Sequence, residues 1–171
     1  FMKDVSGNTS PIKLNQQYVT DNGDTLRFNT LKYFISNVKL INENGDTTTL
    51  ENSYHLIEST DMMAMTSIDL EVPHDTYKYI SFGLGVDSRA NLDETVIEGD
   101  LSPSSNMIWN WNIGYKFINL EGSYSGDSKG AFVYHLGKNE NYQVFDQKFP
   151  RTLTINDDME AMAHFMVNFN Q

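Results

Sequence analysis

The sequence predicts an all-β protein, an antiparallel β-sandwich with Greek-key connections, and three observations lead there. Helical periodicity is nearly absent along the chain. Short runs rich in Tyr, Phe, Ile, Val and Thr are punctuated by Gly, Asn, Asp and Pro. Asn22-Gly23-Asp24 and Asn44-Gly45-Asp46 are hairpin signals, because Asn-Gly tolerates the positive φ angles of a tight turn.

The elements follow in order. Residues 12–19 form a first strand. The two Asn-Gly turns bracket the run 25–42, whose Leu31-Lys32-Tyr33-Phe34-Ile35-Ser36-Asn37-Val38-Lys39-Leu40 has strong strand character. Further strands are expected at 48–50, 54–58, 67–72 and 77–86. The stretch 87–106 is irregular and rich in acids, and loops of this length in a compact domain are often functional. Residues 108–120 read as one long strand. Side chains at i and i+2 of a strand share a face, so Met107, Trp109, Trp111, Ile113, Tyr115 and Phe117 would form one aromatic surface. Strands at 131–136, 142–145 and 152–155 complete the set. Asp157 with Glu160 resembles a capping box and leaves room for a short C-terminal helix through Met159, Met162, His164 and Met166, or for another strand.

The chain of 171 residues fits a single domain spanning 1–171. No run approaches the roughly 18 apolar residues of a membrane span. Phe1-Met2-Lys3 is not followed by the apolar core of a signal peptide, which says nothing about export if the start is trimmed. The net charge is −11, from 23 acidic and 12 basic residues, so nucleic acid is not an expected partner. There is no cysteine, which removes thiolate metal sites, cysteine nucleophiles and disulfides.

The chemistry-bearing residues are few. Imidazole is the commonest transition-metal ligand, and the chain has four: His55, His74, His135 and His164. His55 and His135 fall in predicted strands, and His74 follows Pro73 in a turn. Met62-Met63-Ala64-Met65 supplies soft sulfur, but thioethers more often fill gaps, and no histidine lies in that window. Asp87, Asn91 and Asp93 could bind calcium through oxygen, though the spacing is not that of an EF-hand. No nucleophile elbow, P-loop, dinucleotide fingerprint or paired-carboxylate spacing is present, so the chain reads as a non-enzyme. The two tryptophans remain, either as core or as a site of oxidative chemistry.

At these residues the chain resembles a known family, the MbnP-like proteins. These are copper-associated periplasmic or surface lipoproteins related to the CorA and MopE-type proteins. Leu31–Leu40 resembles the family's Tyr-Tyr/Phe-hydrophobic-Ser-Asn strand. Ile80-Ser81-Phe82-Gly83-Leu84-Gly85-Val86-Asp87, with Asn91, resembles its Phe-Gly-x-Gly-Val-Asp element. Asp100-Leu101-Ser102-Pro103 and the run Met107 to Phe117 resemble its Leu-x-Pro and Met-x-Trp-x-Trp-x-x-Gly-Tyr-Lys-Phe signature. Glu121-Gly122 and His135-Leu136-Gly137 continue the likeness, which covers 12–156.

The resemblance implies a β-sandwich exported to the periplasm or outer surface, attached to the membrane through an N-terminal lipid preceding Phe1. It implies copper as the metal; calcium, the lesser alternative, rests on the oxygens of the 87–100 loop alone. It also implies a tryptophan oxidised to kynurenine by an MbnH-like dihaem partner of the cytochrome c peroxidase type. Trp109 or Trp111 would be the oxidised residue and His135 a ligand, with His55 or His164 supplying another if the fold brings it near. The chain departs from copper-binding relatives at one point: the histidine they carry two residues from the modified tryptophan is here the other tryptophan. A non-catalytic cell-surface binding module of the same fold, without metal, is the alternative function.

Overall fold

The computed structural model describes residues 2–59, 67–92, 98–110 and 113–165. Eleven strands dominate it: β1 (Met2–Asp4), β2 (Thr9–Ser10), β3 (Gln17–Val19), β4 (Thr25–Asn42), β5 (Thr47–Thr49), β6 (Tyr54–Glu58), β7 (Asp75–Leu84), β8 (Ile108–Asn110), β9 (Gly114–Ser125), β10 (Lys129–Gly137) and β11 (Gln143–Ile155). All their pairings are antiparallel. The fold is therefore all-β, as the residue pattern predicts.

The spine is β4. Its 18 residues contain neither glycine nor proline, and the strand runs on through register shifts between Phe28 and Thr30, Ser36 and Lys39, and Ile41 and Asn42, with Asn37 at φ 52°. Along one edge it pairs first with β9, from Thr25 to Tyr33, and then with β7, from Ile35 to Asn42. Its other edge carries β3, β6 and β5 in turn. Two strands leaving the same edge of one strand must diverge, and that divergence makes two layers. β10 extends the β9 layer and β11 extends the β7 layer.

Two apolar clusters fill the fold. Phe34, Val86, Ala90, Leu101, Met107, Tyr115 and Phe117 form the first. Val38, Leu40, Tyr77, Ile80 and Phe149 form the second. Where β9 gives way to β7, Gly85 takes φ 108° and its N–H donates to the Phe34 carbonyl (2.9 Å). A Cβ at Gly85 would collide with the Phe117 ring, so the crossing requires glycine. Tyr142 plugs the same junction. Its hydroxyl accepts from Asn37 Nδ2 (2.9 Å) and lies 3.2 Å from Ser36 Oγ, while its ring meets Phe117 edge-on.

Several elements differ from the sequence expectation. The run 108–120 is not one strand but a hairpin. Ile108 pairs with Tyr115 and Asn110 with Gly114, which sits at φ 87°. Met107, Tyr115 and Phe117 are buried, whereas Trp109 is 42% exposed, so the expected continuous aromatic face is divided. Residues 67–72 form no strand, although Leu70 and Val72 pack on the second cluster. The expected strands at 142–145 and 152–155 are one strand, β11, with an irregularity between Lys148 and Leu153. No helix forms over 157–165. Asn156 Oδ1 instead accepts from the Asp158 N–H (3.0 Å), and Asn156 bridges to Met159, a local turn that competes with a helix start. Among the described residues the one α-helix, α1 (Ser88–Asn91), lies in the expected irregular stretch.

Candidate metal and oxidation site

β9 and β10 place a histidine, a carboxylate and an indole together. In their ladder His135 pairs with Asn119 and Val133 with Glu121. Paired residues share a face, and so do i and i+2, so Asn119, Glu121 and His135 all point to the side that carries Tyr115 and Phe117. His135 Nε2 lies 3.0 Å from Glu121 Oε1. β8 then lays the Trp109 ring across the end of this ladder. The indole meets the His135 imidazole edge-on, with centroids 5.7 Å apart and planes at 84°. Gly137 makes the space, because a Cβ there would stand 3.5 Å from Trp109 Cε3 and closer still to the Tyr115 carbonyl.

The burial at this site is graded. The His135 side chain is 19% exposed and that of Glu121 36%, so the pair is shielded without being sealed. Asn119 is buried, and among the described residues its Oδ1 accepts no hydrogen bond. A buried carbonyl oxygen without a donor costs about 1–3 kcal/mol, so such an atom calls for an explanation. Here it faces the same side as the imidazole.

The other expected site residues lie elsewhere. His55 pairs with Ile35, which puts it on the opposite face of the sheet from His135 and three strands away, about 14 Å by ladder spacing alone. The sheet therefore does not bring His55 to the indole. Its buried Nε2 has no partner among the described residues, and burial lowers its pKa against the opposing pull of Asp100. His164 lies against β11, which pairs with β7 and not with β9 or β10. His74 sits 3.5 Å from Asp157 at an exposed turn. Trp111, Asp93 and the run Met62 to Met65 lie outside the described residues.

Asp87 and Asn91, proposed from sequence for calcium, hold the loop together. Asp87 accepts from Asn37 Nδ2 (2.8 Å), the Tyr54 hydroxyl (3.1 Å) and the N–H of Ala90 (3.2 Å), capping α1. Asn91 is buried, accepts from the Tyr115 N–H (2.8 Å) and donates to Asn139 Oδ1 (2.8 Å). Tyr115 donates to the Leu101 carbonyl (2.6 Å), and burial raises its pKa. These bonds fasten residues 87–92 and 98–107 over the first apolar cluster and so carry β8 and Trp109 to their position. Among the described residues, no three His, Asp or Glu side chains gather as a metal cluster.

Sequence reasoning missed Glu121 and Asn119 as partners of His135. Their i, i+2 spacing on a strand was visible, but the register that sets them opposite β10 was not.

The fold and site define an all-strand protein with an indole–imidazole–carboxylate array at one sheet margin. The MbnP family profile matches residues 2–171, and the chain belongs to that family. Among solved structures it is similar to MbnP from Methylosinus trichosporium, with a TM-score of 0.53 and 15% identity. The match covers 82% of this chain and 66% of that one, so it spans just under two thirds of the relative's length. At that identity the likeness is one of fold. No curated protein matches the chain.

Proposed function

We propose that the protein is a copper-handling protein of the bacterial envelope, and that Trp109 is the residue oxidised to kynurenine. The observation that carries this reading is the edge-on contact of a 42% exposed Trp109 with His135, whose other side is held by Glu121. Exposure lets an external oxidant reach the indole. Metal-binding histidines commonly give their second nitrogen to a carboxylate, which fixes the tautomer and raises ligand basicity.

The residues fit copper as follows. His135 would use Nδ1, since Nε2 is engaged by Glu121. The orphan Asn119 Oδ1 stands on the same face as an oxygen acceptor or weak ligand. Residue 109 contributes nothing as an indole, whose N–H only donates. Cleavage of its C2–C3 bond with gain of two oxygen atoms gives N-formylkynurenine. Hydrolysis then releases formate and leaves an aromatic amine, a second nitrogen donor beside the imidazole. Peroxide, reduced to water, is the oxidant, and an MbnH-like dihaem peroxidase-type protein is the partner that applies it. Copper would be held by nitrogen donors of the kind it prefers. The protein is the substrate of that oxidation and not itself an enzyme. Export and a lipid anchor complete the reading.

Intact mass tests it. After treatment with the dihaem partner and peroxide the chain should gain about 4 Da, with the change mapped by fragmentation to residue 109. Trp109→Phe should remove the gain, and equilibrium dialysis should show Cu(I) uptake that depends on oxidation and on His135. An unchanged mass at residue 109, or oxidation without any gain in uptake, rejects the proposal.

A further inference from the structure

Among the described residues β10 ends its layer: it pairs with β9 on one side and with no strand on the other. A strand so placed presents a row of free N–H and C=O groups, and proteins commonly blunt such a row with charge, proline, a kink or shortness. β2, β5, β6 and β8 have five residues or fewer. β11 carries Asp146, Lys148, Pro150 and Arg151, and its ladder is irregular between Lys148 and Leu153. β10 uses none of these devices. From Gly130 to Gly137 it holds no proline and no acidic or basic side chain except His135, which turns to Glu121. The irregularity between Leu136 and Gly137 places its extra residue, Phe117, in β9, so the outer edge of β10 stays regular. Two apolar side chains nevertheless stand in solvent, Val133 at 64% exposure and Tyr134 at 53%.

We propose that this edge pairs with the same edge of a second copy, antiparallel about a two-fold axis at Val133, so that one sheet runs through both copies. Symmetry narrows the register. A two-fold axis normal to the sheet keeps every side chain on its own face, and facing residues share a face, so the axis must pass beside a residue and not between two. Centred on Val133, all nine residues of β10 find a partner. A centre at Phe132 or Tyr134 loses two of those pairs, and the first sets Lys129 against His135. At the Val133 centre, Val133 meets its own counterpart, Phe132 meets Tyr134, Ala131 meets His135, Gly130 meets Leu136 and Lys129 meets Gly137, so no two like charges oppose. The last pair has a further fit. The Trp109 ring reaches over Gly137, so the aliphatic stem of Lys129 from the second copy lies against the indole. A single strand pair about 30 Å long is a small interface, so the dimer is reversible and forms at micromolar concentrations or above. Each copy carries a net charge of −11, so salt should favour the pairing, the reverse of what capture of a basic partner would show. The pairing is independent of the copper reading.

The test uses the whole chain. Sedimentation velocity over about a hundredfold range of concentration, reaching well into the micromolar range, should show one copy passing to two, more completely at high salt than at low. Amide exchange of residues 130–136 should slow as concentration rises, while that of β11 stays constant. Val133→Lys sets two ammonium groups together at the axis and should weaken association by at least about tenfold. Val133 is exposed, so this variant keeps its fold, which circular dichroism verifies. The chain has no cysteine, so Val133→Cys gives one thiol per copy, facing its counterpart within reach of a disulfide. Mild oxidation should link that variant as a dimer, and should leave Val144→Cys, at a 59% exposed position on β11, largely unlinked. A chain that stays single at every concentration, association that weakens with salt or survives Val133→Lys, or equal linking at both positions overturns the proposal. So do β10 amides already protected in the single copy, because another part of the chain would then cover the edge.

Discussion

Replacing Asp87 by alanine tests how the segment that carries Trp109 is held. One carboxylate accepts three hydrogen bonds, from Asn37 Nδ2, the Tyr54 hydroxyl and the Ala90 N–H that caps α1. Loss of a helix cap costs about 1 kcal/mol, and a hydrogen bond to a charged group contributes about 1.5–3 kcal/mol. Partial compensation is available, because Asn37 Nδ2 also donates to Tyr142 and the O–H of the half-buried Tyr54 can turn to solvent, Arg89 beside it being itself a donor. Taking the low end for each bond and discounting for these partners gives a loss of about 3 kcal/mol. For a chain of this size that corresponds to a fall in Tm of roughly 6–12 °C. Asp87→Asn keeps one acceptor oxygen and should lose about half as much. Thermal and urea denaturation, each followed by far-ultraviolet dichroism and tryptophan fluorescence, measure both. A shift below about 2 °C for Asp87→Ala would mean that the three bonds exchange with water at no cost, and the reasoning would fail.

Gly114→Ala places a Cβ against Asn91 at a residue of φ 87° and should cost more than about 2 kcal/mol, read as a lower urea midpoint; a neutral result would show that the hairpin can rearrange. His55 has a lowered folded-state pKa, so the unfolded chain binds the extra proton. Its contribution is complete above the ordinary histidine value of about 6.5 and falls away as pH drops below it. The urea midpoint of His55→Leu should therefore fall less between pH 8 and pH 5 than that of the native chain, on an experimental range of about three pH units; identical profiles would contradict the burial argument. In the oxidised protein, Glu121→Ala should weaken Cu(I) binding by about 10–100-fold in a chelator competition, and equal affinity would detach the carboxylate from the site.

Fold class was legible because it rests on local signals. The Asn-Gly turns, the unbroken run of β4 and the strand residues between punctuators each act within a few positions. The hairpin at 108–115 escaped because Gly114 reads as one more strand residue until Asn91, from a distant helix, occupies the space its Cβ would need. The C-terminal helix failed for a related reason: the acids at 157 and 160 suit a cap, but Asn156 closes a turn first. At the site, residue types pointed to His135 and to the tryptophans, while register alone decided between partners. Parity along β9 and β10 puts Glu121 with His135, and parity along β4 and β6 turns His55 to the other side. A one-residue slip in either ladder would reverse that choice, and the ladders are set by contacts far apart in the chain.

The central strand β4 has a mechanical consequence. A single rail hydrogen-bonds to both layers along one edge, so neither layer can slide without breaking bonds to the same stretch around Tyr33 and Ile35. Strain entering through one layer is thus felt by the other, and the two cores should melt as one cooperative unit.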